Sequence, residues 1–404
     1  MLLRLALRNV LRARARSALT IAALWFGVMM SLLLSALVMG VGESLVSETI
    51  EGSVGAIQVH REGYFEKRDR QPLKFNLEQR PELEASLRAT PHVKAVTPRL
   101  TFSGLLTNGS QGTVAVVTAV DPATVREVLP RADMYLTGDA LKPGDKNGVQ
   151  VGIELAHALG AKQGAPMMIS AQGLGGRDNA LDLEVRGTMN GQNPLITKRN
   201  ATVPLAFAQS LLGMEGKVTE YVIAVDDPSH MDSVAASLKQ QLGAGYEVQT
   251  WEELRPGLRD ARLLQRAILG LVSIIFLIIA LFGVANTLLM SVLERTREIG
   301  TMLAVGMTRS QVARLFVLEA LVQAVFGSVM GLVIALPVIS LARGHGGFTV
   351  PMGNLGGVFT VMPTLLTAVP FIVVGSTCLG SVLAAVSPAL RAARLRPVEA
   401  LSTS

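Results

Sequence analysis

AILGLVSIIFLIIALFGVANTLLMSVL, Ala267–Leu293, runs its whole length without a charged side chain. A helix rises about 1.5 Å per residue, so about 20 residues cross a hydrocarbon layer of about 30 Å. This stretch is longer than that and has no polar stripe, which separates it from the one-sided helix of a water-soluble domain. Three more stretches share the property: Ser17–Gly42, Ala320–Ala342 and Met362–Val386. The last contains Pro363 and Pro370, which membrane helices tolerate where neighbours satisfy the freed backbone groups. The expectation is an α-helical membrane protein with four transmembrane helices, at 17–42, 266–291, 315–342 and 362–387, and a large α+β extracytoplasmic domain, 43–265, inserted between the first two.

Composition agrees. Of 404 residues, 50% are hydrophobic and 17% charged, with a mean hydropathy of +0.42, which argues against a purely soluble enzyme. The single cysteine, Cys378, excludes an internal disulfide and a multi-cysteine metal site. The net charge of +6 is unevenly distributed. Residues 43–265 carry 23 Lys+Arg against 27 Asp+Glu, whereas the rest carries 14 against 4. The basic excess therefore lies beside the apolar stretches, a pattern of membrane orientation rather than of nucleic-acid binding. Arg4, Arg8, Arg12, Arg14 and Arg16 precede the first span; Arg295, Arg297, Arg309 and Arg314 follow the second; Arg391, Arg394 and Arg396 follow the fourth. By the positive-inside rule both termini and the loop 292–314 are expected to be cytoplasmic, with 43–265 and the loop 343–361 outside. In 1–16, apolar residues alternate with arginines as in an amphipathic helix lying along the inner interface; the apolar run behind it is too long for a cleavable signal and reads as an anchor. Residues 388–404 form the tail.

The inserted region mixes periodicities. Ala56–His60, Thr113–Val120, Leu181–Gly187 and Glu220–Val225 read as strands, and Pro81–Ala89, Ile153–Leu159 and Ser229–Leu242 as short helices. A helix at 81–89 precedes VKAVTPRL (93–100), and one at 229–242 precedes YEVQTW (246–251), hinting at a duplicated α/β subdomain with a β-rich lobe inserted over about 130–215. Val41–Glu51 and Glu252–Arg266 look helical and would form a stalk to the membrane.

SVLERTREIGTMLAVGMTRSQVARLFVLE, Ser291–Glu319, is unusually well defined for a loop. Glu294 can pair with Arg297, and Arg295 with Glu298, at helical spacing. Gly306 suits a helix stop, and Thr308 with Gln311 fits a capping box opening the third span. A short charged helix ending in a tight turn is suited to docking in a partner's groove. Glu319, the one acidic residue beside the third span, reads as a structural group bonding neighbouring helix ends near the inner interface. No catalytic constellation is found. His60, His92, His157, His230 and His345 are scattered, without an H-E-x-x-H or a close pair, and read as surface or packed residues; Asp226 and Asp227 before Pro228 read as a helix start rather than a metal site. No G-x-S-x-G elbow occurs, and no G-x-x-x-x-G-K-[ST] loop is present to cradle a nucleotide, so no cofactor is expected on this chain.

ERTREIGTMLAVGMTRSQVARLFVLEA (294–320) resembles the cytoplasmic coupling segment of FtsX-like permeases, the ABC family that includes the macrolide-exporter (MacB) and lipoprotein-releasing types. LALRNVLRARARSALTIAAL (5–24) and PALRAARLRPVEAL (388–401) resemble that family's ends. GAIQVHREGY (55–64), TAVDP (118–122) and GVQVGIELAHALGAKQG (148–164) look most like the lipoprotein-releasing (LolC/LolE-type) branch. The resemblance implies a multi-pass protein of the bacterial inner membrane that pairs with a second permease, as a homo- or heterodimer, and with two copies of a separate ATPase that supplies ATP and Mg²⁺ chemistry. It implies mechanotransmission: ATP-driven closure of the helices passes through the stalk to the periplasmic domain, releasing a lipoprotein to a periplasmic carrier or adaptor. A drug or peptide exporter of the MacB type and an FtsX-like regulator of a periplasmic hydrolase are the alternative outcomes. It places Glu294, Arg295, Arg297, Glu298, Ile299, Gly300 and Gly306 at the ATPase contact. It also makes the bulky band Trp25, Phe26, Met29 and Met30 of the first span a candidate surface for lipid tails, beside contact with membrane lipids.

Overall fold

The computed structural model describes residues 2–12, 14–67, 72–190, 197–351 and 358–395. It divides into two compact units: residues 1–43, 261–348 and 360–404, and residues 44–260 with 349–359. Helix α1 (Leu2–Arg12) is amphipathic, with Ala6 and Val10 on its buried face. Helix α2 (Arg14–Thr49) follows. It is apolar on every side over its middle, so nothing in its sequence selects one face for water. A wider turn, Ile50–Val54, ends it and leads into the inserted unit.

That unit is built on strands β1 (Ile57–Arg61), β2 (Val93–Thr107), β3 (Gly112–Val120), β4 (Leu136–Gly138), β5 (Gly148–Gly152), β6 (Pro166–Gln172), β7 (Asp178–Met189), β8 (Asn200–Pro204), β9 (Glu220–Val225) and β10 (Tyr246–Thr250). Helices α3 (Pro81–Arg88), α4 (Ile153–Ala158), α5 (Leu205–Leu212) and α6 (Met231–Leu242) accompany them. The ten strands form one sheet in the order β10-β1-β9-β2-β3-β8-β5-β7-β4, with β6 joining β2 to β7. Its first four strands are antiparallel and carry two β-α-β passages, β1-α3-β2 and β9-α6-β10. This is the split β-α-β arrangement, and it accounts for the repeated helix–strand order in the sequence.

The β-rich lobe differs from its expected outline. Pairings β2–β3, β3–β8, β8–β5, β5–β7, β7–β6 and β6–β2 close a ring of six strands. The lobe therefore draws in residues well before 130, because β2 is long enough to serve both halves: Val96–Arg99 pairs with β9 and Leu105–Thr107 with β6. Alternating side chains fill the ring, among them Phe102, Leu106, Val117, Ile169, Val185 and Val203, each at most 2% exposed. They belong to one apolar cluster that continues to Leu87 of α3 and Leu238 of α6, so the two halves share a core.

Helices α7 (Pro256–Glu294), α8 (Thr296–Ala304), α9 (Arg309–Gly344) and α10 (Ala368–Ala393) complete the chain. Among the described residues, four helical stretches are long and apolar enough to cross a membrane: 17–54, 256–294, 309–344 and 368–393. The loop at 343–361 also holds two short paired strands, Phe348–Pro351 and Val358–Val361. Packing between α2 and α9 depends on small residues. A Cβ on Gly327 would lie 2.7 Å from the Leu24 side chain, and one on Gly331 2.7 Å from Val28. Gly327 and Gly331 are four residues apart, the spacing that lets two membrane helices approach closely.

Candidate functional site

The turn between α7 and α9 is held by a glycine reversal, a reciprocal helix cap and a buried carboxylate. Helix α7 stops at Glu294 because Arg295 leaves helical geometry (φ −102°, ψ 21°), and α8 starts one residue later. After Ala304 the chain reverses at Gly306, whose φ of +106° disfavours a side chain. Thr308 then caps α9 reciprocally: Gln311 N–H donates to Thr308 Oγ1 at 3.3 Å, and Thr308 N–H donates to Gln311 Oε1 at 2.9 Å. Glu319 ties the segment down. Its Oε1 accepts from Asn9 Nδ2 at 2.6 Å and from Arg295 Nη1 at 3.3 Å, while Arg295 Nε donates to Glu298 at 2.8 Å. One buried carboxylate thus joins α1, the α7–α8 break and α9.

The faces of α8 revise one expectation. Ile299 is 0% exposed and Gly300 is buried, so neither is presented to a partner. Ile299, Met302 and Leu303, at i, i+3 and i+4, pack inward with Val312 and Phe316. Outward stand Glu294, Arg297, Glu298, Thr301 and Val305. At 83% exposure Val305 is an apolar knob beside the turn. Sequence reasoning passed over it, and over Asn9, which lies 310 residues from its partner.

The inserted unit holds a second charged centre. Glu220 of β9 and Arg99 of β2 form a buried ion pair. Glu220 also accepts from Thr101 Oγ1 at 3.1 Å and lies 3.5 Å from His60 Nδ1. Burial alone would raise the Glu220 carboxyl, but the charges of Arg99 and His60, with hydrogen bonds from Arg99 and Thr101, outweigh it and hold the group below its ordinary range. Arg99 Nη1 reaches Ser53 O at 2.6 Å in the turn after α2, and Arg131 Nε meets Glu51 at 2.8 Å. Two arginines of the domain therefore bond the turn that follows α2. Arg99 borders a cleft of about 1130 Å³ lined in part by Lys74, Arg126, Asp133 and Arg199.

Residues 17–241 match the MacB-like periplasmic core domain family, and residues 270–397 match the FtsX-like permease C-terminal family. The chain is an FtsX-like, MacB-type permease. Among its relatives, the lipoprotein-releasing system transmembrane protein LolE of Haemophilus influenzae is 25% identical over 337 residues, covering 80% of each chain. The macrolide export ATP-binding/permease protein MacB of Hyphomonas neptunium is 28% identical over 209 residues, 50% of this chain and 30% of that one. The ABC transporter permease YknZ of Bacillus subtilis is 31% identical over 206 residues, 49% of this chain and 48% of that one. The permease thus spans less than a third of MacB, about half of YknZ and four fifths of LolE.

A cavity of about 330 Å³ lies among α2, α7 and α10 of the permease, lined by Gly27, Ser31, Ser35, Ser273, Ile274 and Val373 among others. None of Trp25, Phe26, Met29 and Met30 lines it. Met29 packs with Val28, Leu32 and Ala335, and Phe26 is 50% exposed. On α2 the cavity wall is formed by Leu24, Gly27, Val28, Ser31 and Ser35.

The histidines also need correction. His92, before β2, and His230, before α6, lie with ring centroids 3.8 Å apart and ring planes tilted by 33°. Each directs Nδ1 to a different oxygen of Asp226, both at 2.9 Å. Hydrogen bonds from His230 and then His92 pull the Asp226 carboxyl down to about 2. The sequence separation of 134 residues between His92 and Asp226 hid this contact.

Proposed function

We propose that the permease couples ATP hydrolysis on a separate ATPase subunit to work done by its inserted domain on the outer side of the inner membrane, and that its cargo is a lipoprotein. In this reading α8 seats in a groove of the ATPase, with Glu294, Arg295, Arg297, Glu298 and Val305 at the contact and Gly306 setting the turn. Glu319 passes displacement of α8 to α1 and α9 through Arg295 and Asn9. The observation that carries the coupling role is this three-way link, since a segment meant only to connect two spans needs no such restraint. A continuous α2 that ends under Arg99 and Arg131 gives motion a route onward. The apolar outer face of α7, where Ile275, Ile279 and Phe282 stand exposed, supports pairing with a second permease. Lipid tails would enter beside α2, and a periplasmic carrier or adaptor would receive the cargo.

Likeness to LolE over four fifths of both chains favours lipoprotein release. Comparable identity to MacB favours a second reading, export of a drug or peptide by the same mechanics. Depletion in the native host separates them. Lipoproteins retained at the inner membrane support release; drug sensitivity with correct lipoprotein sorting supports export; filamentous division with both intact supports a hydrolase regulator. Coupling itself is tested by cross-linking. With Cys378 replaced by alanine, V305C is expected to cross-link to an ATPase subunit in membranes, and absence of any ATPase cross-link along 297–305 would overturn the docking.

A further inference from the structure

We propose that His92, Asp226 and His230 form a binding site for a divalent transition-metal ion, zinc by its ligand chemistry. The site is independent of the coupling turn and of the cargo. Two imidazole nitrogens and a carboxylate oxygen, one atom from each residue, lie within 4.8 Å of one another. Zinc takes nitrogen and oxygen donors at about 2.0–2.2 Å in tetrahedral geometry, which sets neighbouring donors roughly 3.3 Å apart. The Nδ1–carboxylate separations of 2.9 Å need to open by only a few tenths of an ångström to admit the ion. Without sulfur the set is poorly matched to Cu(I), and with a single carboxylate it falls short of the oxygen shells that Ca²⁺ and Mg²⁺ require.

The backbone favours this assembly at some cost. His92 has φ +68°, the only non-glycine residue with positive φ among the described residues. Left-handed geometry is uncommon for a side-chain-bearing residue, and it turns the ring towards His230. Asp226 N–H donates to His92 O at 3.1 Å, so the two segments are joined before any ion binds. Asp227 is engaged separately, accepting from Ser229 N–H at 2.8 Å, and leaves Asp226 to the histidines. The side chains of His92, Asp226 and His230 are 46%, 49% and 39% exposed, which leaves a path for the ion and a fourth position for water or a partner's donor. A bound ion would pin the turn before β2, the end of β9 and the start of α6, the three segments that meet at one margin of the split β-α-β half.

The test uses the full-length permease in detergent, purified without a polyhistidine tag, stripped with chelator and titrated with zinc chloride against a chromophoric chelator. Wild type is expected to take up one zinc per chain with a matching rise in thermal midpoint. H92N suits the left-handed backbone and removes the ligand, and H230Q removes the other; each is expected to weaken zinc binding by more than the 10–100-fold typical of losing a supporting residue. H157A, at an exposed histidine elsewhere, is expected to bind zinc like wild type. Circular dichroism of metal-free H92N checks that the fold is retained. Zinc uptake unchanged in the H92N/H230Q double variant, or no uptake by wild type above that variant, would overturn the site.

Discussion

Tyr221, Phe102 and Trp251, the bulkiest buried side chains of the inserted domain, are at most 2% exposed, whereas on α7 Phe282 is 73% and Ile279 63% exposed. The domain closes its sheet on itself and buries its large apolar groups within one chain, as a protein surrounded by water must. The membrane unit also buries large groups such as Leu24 and Phe316 between its helices, but it leaves many others pointing outward and lets glycines set the close approach of α2 and α9. In lipid there is little to gain by burying Ile against Ile, and Gly327 and Gly331 set how closely α2 approaches α9. Both units nevertheless bury a glutamate beside an arginine: Glu220 with Arg99 in the domain, Glu319 with Arg295 at the break between α7 and α8. The two tryptophans make the comparison measurable, since Trp251 belongs to the domain core and Trp25 to α2. A W25F background reports the domain, and a W251F background the membrane unit.

The largest effect is expected where a buried charge loses its partner in the domain. E220Q leaves the Arg99 guanidinium uncompensated, and breaking a buried pair costs about 3–5 kcal/mol. Denaturant unfolding followed by Trp251 is expected to show that loss, with little change at Trp25. The pH dependence has a definite sign. Folding holds the Glu220 carboxyl below its ordinary value of 4.5, so the pair contributes fully above that value and its contribution fades as pH falls through the lowered one. The gap between wild type and E220Q is therefore expected to narrow in acid. A gap that is constant with pH would mean that the carboxylate charge is not what stabilises the domain.

An intermediate effect is expected from the opposite kind of change. G331V adds bulk where a Cβ already meets Val28 at 2.7 Å and Trp25 O at 3.1 Å. Overpacking of this kind costs about 1–3 kcal/mol, and Trp25 should report it while Trp251 does not. If both tryptophans respond equally to G331V and to E220Q, the units do not unfold separately.

How much of this could be read from the chain depends on the distance between the residues concerned. The four apolar helices were legible because absence of a polar face is a local property, and so was the Thr308–Gln311 cap, a pattern three residues long. The split β-α-β half showed as a repeat of helix then strand. Closure of the six-stranded ring did not, because it rests on Leu105–Thr107 meeting Met168–Ser170, a pairing that no local periodicity encodes. Asn9 with Glu319 and His92 with Asp226 were hidden for the same reason. The inward turn of Ile299 was legible in principle: Ile299, Met302 and Leu303 mark an apolar face, and the charges around them drew the reading outward instead.

The smallest predicted effect bears on the turn between α8 and α9, where a polar cap opens an apolar helix. T308A removes the hydroxyl that accepts Gln311 N–H and leaves the return bond from Thr308 N–H to Gln311 in place. Loss of such a cap costs about 1 kcal/mol. Because Thr308 is exposed, water can replace part of the bond, and the shift in the Trp25-reported unfolding midpoint should be the least of the three. ATP turnover is the sharper readout. If α8 must stand at a fixed angle to α9, a frayed cap lets it swing, and stimulation of the ATPase by the permease should fall by more than stability does; T308S, which restores the acceptor, should recover it. Equal, small losses in both would make Thr308 an ordinary helix cap and leave the angle to Gly306 and the Arg295–Glu319 pair.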